Sequence, residues 1–125
     1  MVSHRAPFPQ LYRYYAVLYV PNTEEEIGIT IAVVALSNPE PSCIAFKQIP
    51  FWNSVMELDS RSDIRLLRQF LKQFSEAIRL NPQCIDQALQ WNNCIRILPR
   101  REFSTSDVDG TLSLVADAEF RVERI

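Results

Sequence analysis

Between Tyr12 and Leu36 two apolar runs flank a short polar link. The first, Tyr12 to Val20, is apolar at both parities: Tyr15, Val17 and Tyr19 alternate with Tyr14, Ala16, Leu18 and Val20. A strand that is apolar on both faces belongs inside a sheet, covered on each side. The second run, Ile27 to Leu36, separates its faces by size. Ile27, Ile29, Ile31 and Val33 fall on one face, and Gly28, Thr30, Ala32 and Val34 on the other. Between the runs, Pro21-Asn22 supplies turn chemistry and Glu24-Glu25-Glu26 supplies charge. The pattern predicts an antiparallel strand pair with its bulkier face on the main core.

Ser37-Asn38-Pro39-Glu40-Pro41-Ser42 reads as a turn and Cys43 to Ile49 as a third strand. Pro50 ends that strand and leaves Phe51 and Trp52 in a loop or on an edge. Ile64, Leu67, Leu71, Phe74 and Ile78 recur at 3-4 spacing, which predicts a helix over Asp63–Leu80 with one apolar stripe. Ser60 or Ser62 offers its cap, Asp63 lies near its positive end, and Asn81-Pro82 stops it. Residues 83–91 fit either a short helical turn or a loop. Cys94 to Leu98 reads as a last strand, stopped by Pro99. Ser106-Asp107 caps a final helix whose apolar side is Val108, Leu112, Val115 and Ala116, continued by Phe120. The order βββ-α-β-α predicts an α+β fold: an antiparallel sheet of about four strands with two helices packed on it. Pro7 and Pro9 make residues 1–11 a loose lead-in, and 12–125 form one domain.

Composition narrows the function classes. A 125-residue chain with 47% hydrophobic and 22% charged residues is globular and holds one core. A net charge of -2 argues against coating nucleic acid by bulk charge. Two glycines leave little for phosphate-cradling loops, and no cofactor is expected. The apolar run Ile27–Leu36 is half the length of a membrane helix, and the chain start lacks the apolar core of a secretory signal. Cys43, Cys84 and Cys94, odd in number and widely spaced, suggest buried reduced thiols in a cytoplasmic protein, with neither a disulfide framework nor a zinc site.

Catalytic constellations are equally thin. His4 is the sole histidine and lies in the lead-in, so a nucleophile–histidine pair has no natural base. Glu24-Glu25-Glu26 reads as a solvated turn, and Asp107 with Asp109 as helix capping. The protein is therefore expected to be non-enzymatic. The polar feature that stands out is a row of cations, Arg61, Arg65, Arg68, Lys72 and Arg79, in a narrow stripe beside the apolar one. Arg96, Arg100 and Arg101 form a second basic group. Arginine favours planar pairing with carboxylates or phosphates, so the row suits an acidic protein surface or a nucleic-acid backbone as well as plain solvation. Tyr12, Tyr14, Tyr15, Tyr19, Phe51, Trp52 and Trp91 fit a core, an exposed anchor for another protein, or a base-stacking surface.

Three segments resemble the bacterial family catalogued as domain of unknown function 3037: Tyr15-Ala16-Val17-Leu18-Tyr19-Val20-Pro21-Asn22, Ile29-Thr30-Ile31-Ala32-Val33-Val34, and Gln90-Trp91-Asn92-Asn93-Cys94-Ile95-Arg96-Ile97. The acidic start of the last helix fits as well. The chain departs from the family's pattern at Leu18, where an arginine is usual, and in Thr30-Ile31-Ala32-Val33-Val34, where the family favours Asn-Ile-Gly-Val-Val. The resemblance implies no catalytic residue. Its gene neighbourhoods imply a HipA-like serine/threonine kinase as partner, and the expectation is a protein-binding module, with a nucleic-acid-binding accessory domain as the alternative.

Overall fold

The computed structural model describes residues 5–38, 40–41, 44–85 and 94–125. Five strands and three helices follow in the order β1 (Arg5–Asn22), β2 (Ile27–Ser37), β3 (Ile44–Gln48), α1 (Asn53–Leu58), α2 (Ile64–Leu80), β4 (Ile95–Asp107), α3 (Val108–Glu119) and β5 (Val122–Arg124). This is an α+β fold built on one antiparallel sheet of order β3-β2-β1-β4, with β5 also paired to β2. The two doubly apolar strands, β1 and β2, occupy the centre, as burial of both faces requires. Helices α1 and α2 cover one face and α3 the other. The sequence pattern accounts for most of this. The short α1 and β5 are additions to it, and β1 begins at Arg5, inside the segment read as a loose lead-in.

One correction concerns the faces of β2. Val17 pairs with Ala32 but Leu18 pairs with Thr30, so Ile31 is an extra residue and the strand bulges there. Ile29 and Ile31 pack toward α2 as their alternation predicts. Beyond the bulge the parity switches, and Ala32, Val34 and Leu36 take the α2 side while Val33 and Ala35 turn to α3. A single inserted residue moves every later side chain to the opposite face.

A second correction concerns Pro99, which lies within β4 and does not end it. The Val20 N–H donates to Cys94 O at 2.7 Å, which makes Val20–Cys94 a hydrogen-bonded pair. Alternating from there, Tyr15–Pro99 is a non-bonded pair, so the proline nitrogen faces the outer edge of β4. No ladder bond is lost, and the outward edge lacks one donor for foreign strands. After Pro99 the β1–β4 register slips by one residue at Arg100–Arg101, a bulge that bends the strand beside Arg100.

The main core joins Val17, Ile31 and Val34 of the sheet to Val55 of α1 and to Leu67, Leu71, Phe74 and Ile78 of α2. The smaller core joins Tyr12, Tyr14, Val33 and Ala35 to Val108, Leu112 and Ala116 of α3. No helix among the described residues is long and apolar enough to cross a membrane.

Candidate functional site: a cationic row on helix α2

Helix α2 starts where a cap is available. Asp63 itself is the N-cap, accepting from the Leu66 N–H at 3.1 Å, in place of the serines that the sequence offered. The first helical residue is therefore Ile64, which leaves Arg61 in the preceding turn. Arg61 is held there by its own N–H, which donates to Asp59 Oδ1 at 3.1 Å. The other four cations are on the helix. At ~100° per residue, Arg65, Arg68, Lys72 and Arg79 fall within about 60° of one another, in a row about 21 Å long. All five side chains are exposed, while Leu67, Leu71, Phe74 and Ile78 on the adjacent stripe are buried.

Among the described residues the row is not neutralised by ion pairing. None of its members forms an ion pair among the described residues, although other arginines do. Arg13 pairs with Glu102 at 2.5 Å. Arg100 is bound by Glu119 at 3.0 Å and by Glu123, beside Tyr14, whose hydroxyl donates to Glu119 at 3.3 Å. The second basic group thus disperses. Arg100 locks α3 and β5 to β4, Arg96 is half-buried, and Arg101 is exposed.

Arg68 has a further contact. Its guanidinium carbon lies 5.7 Å from the centroid of the Trp52 ring, within cation–π range. Trp52 is buried, and its indole N–H has no hydrogen-bond partner among the described residues. Arg68 therefore closes the roof over Trp52 and has less freedom than Arg65, Lys72 or Arg79.

The aromatic residues divide sharply. Tyr12, Tyr14, Tyr19 and Trp52 are buried, Tyr15 is half-buried, and Phe51 stands 76% exposed at the start of α1. Because helices cover both faces of the sheet, these rings make no open stacking platform among the described residues. Glu24, Glu25 and Glu26 form the exposed β1–β2 turn, with Glu26 at a left-handed φ of 53°. Asp107 caps α3 by accepting from the Gly110 N–H at 3.3 Å, and a Cβ on Gly110 would come within 2.5 Å of that carboxylate. Cys84 and Cys94 form no disulfide among the described residues and are half-buried, with burial raising the Cys84 thiol. His4, Cys43 and Trp91 lie outside the described residues.

Two hollows accompany these features. The larger, about 340 Å³, lies between Arg13, Tyr15 and Leu36 on the sheet and Pro82, Gln83 and Ile85 after α2. Arg13, the one cation among its described lining residues, already has Glu102 as partner. The smaller, about 190 Å³, is formed by residues next to Trp52 and by the end of α3. Sequence reasoning missed it, since no periodic pattern links Phe51 to Phe120. Compared with family models, with curated proteins and with solved structures, the chain matches none.

Proposed function

We propose that this protein is a non-enzymatic binding module whose contact surface is the solvent-facing row of α2, taken by an acidic surface on a protein partner. The observation that carries the reading is that Arg61, Arg65, Arg68, Lys72 and Arg79 form no ion pair among the described residues, in a chain with more acidic than basic residues. Exposed Glu76 stands in the same row, four residues after Lys72 and three before Arg79, yet forms no ion pair with either among the described residues. Their stems lie beside a buried apolar stripe, so the guanidinium groups are presented outward on a rigid helix. Protein is favoured over nucleic acid because the aromatic residues that would stack bases are mostly buried. The resemblance to domain of unknown function 3037 names the class of partner, a HipA-like serine/threonine kinase. A cytoplasmic setting belongs to the same reading, since three widely spaced cysteines suggest no disulfide framework.

Affinity capture of the tagged protein from its native cell, with and without nuclease, tests the reading. A protein should be recovered in both arms by the wild type and lost from the Arg65→Glu, Lys72→Glu double variant. Recovery that disappears with nuclease, and falls steeply with salt, assigns the row to nucleic acid instead.

A further inference from the structure

Strands β3 and β5 lie end to end along the same edge of β2, and the seam between them falls at the β2 bulge. Ile49 N–H donates to Ile31 O at 2.8 Å, and Thr30 N–H donates to Arg121 O at 3.4 Å. The 190 Å³ cleft is lined by Ile49, Pro50, Phe51 and Ser54 from the β3–α1 side and by Asp117 and Phe120 from the end of α3. It is smaller than the roughly 300–1,000 Å³ of sites for whole small molecules, and of a size for one side chain.

Three of its features favour a cation. Phe51 and Phe120 offer aromatic rings, and Phe51 is 76% exposed on its outer lip. The exposed Asp117 has no ion-pair or hydrogen-bond partner among the described residues. Asp117 also stands in the last turn of α3, which has no basic residue there, so the negative helix end adds to its charge. Glu119 on the same turn is answered by Arg100, whereas Asp117 is left unanswered. We propose that this cleft is a socket for an arginine side chain from a segment of a partner protein. Arginine fits better than lysine because its planar, weakly hydrated head stacks on rings while pairing with a carboxylate. The socket is separate from the cationic row on α2 and does not depend on its role.

The test uses the whole chain and two neutral-backbone probes, N-acetyl-arginine methylamide and N-acetyl-norleucine methylamide, followed by amide NMR. The arginine probe should shift the amides of Phe51, Ser54, Asp117 and Phe120 with millimolar saturation, and norleucine should leave them in place. Asp117→Asn and Phe51→Ala alter exposed residues and should fold normally, each weakening the arginine probe about three- to fivefold. Equal shifts from norleucine, no shift at these amides, or unchanged affinity in either variant overturns the socket. If the same amides move when the protein alone is concentrated, its occupant is a second copy of the chain and the partner assignment fails.

Discussion

Tyr19 in the central strand β1 donates its hydroxyl hydrogen to Asp59 Oδ2 at 2.6 Å. The other oxygen of that carboxylate accepts from the Arg61 N–H at 3.1 Å. One acidic side chain therefore ties the middle of the sheet to the turn from which α2 departs, and so fixes the foot of the cationic row. Tyr19→Phe should cost about 1.5–3 kcal/mol, the range for a hydrogen bond to a charged group. Denaturant unfolding measures this, and a loss under about 0.5 kcal/mol would mean that the turn holds itself.

The same contact sets the alkaline limit of the fold. Burial first, then the hydrogen bond and charge of Asp59, push the Tyr19 hydroxyl well above the ordinary tyrosine value of about 10. Tyr14 is shifted the same way by burial and by Glu119. As pH rises past about 10, these tyrosines ionise in the unfolded chain before they do in the fold. The unfolded state then binds fewer protons, so stability is complete below that pH and declines as pH climbs toward the folded-state values. The decline should be shallower in Tyr19→Phe than in the wild type. Parallel alkaline limbs would contradict the assignment.

Thr30 is buried at the β2 bulge, and its Oγ1 has no hydrogen-bond partner among the described residues. Replacing it with valine removes an unsatisfied hydroxyl at nearly constant shape. Thr30→Val should stabilise the protein by about 1 kcal/mol. A destabilised variant would show that the hydroxyl is satisfied in solution.

Leu71 lies fully buried between α2 and the sheet. Leu71→Ala should cost about 2–5 kcal/mol by transfer and cavity terms together. A cost near zero would require α2 to pack otherwise.

The order of difficulty in reading this chain follows from how local each signal is. Helix α2 was legible because Ile64, Leu67, Leu71, Phe74 and Ile78 repeat over several turns, and α3 because Asp107 precedes Val108 and Leu112 at the right spacing. The faces of β2 after Ile31 were not, since a bulge is set by pairing with Leu18 across the sheet and leaves no mark in the alternation. Pro99 looked like a strand end because its tolerance depends on which side of β4 is free. Six-residue α1 and three-residue β5 are too short for periodicity to show. The cationic row was visible as spacing. What spacing left out is that the row forms no ion pair among the described residues and that Arg68 is captured by Trp52.

Because Arg68 also packs on Trp52, Arg65 and Lys72 give the cleaner probe of the row. The decisive measurement is the affinity of the captured partner, by calorimetry, for the Arg65→Glu, Lys72→Glu protein, taken together with its thermal unfolding. Exposed substitutions should change stability by about 0.5 kcal/mol or less. If the row makes the contact, affinity should fall at least about tenfold, or about 1.4 kcal/mol. A variant that unfolds like the wild type and binds with unchanged affinity would show that the row on α2 is only a solvated helix face.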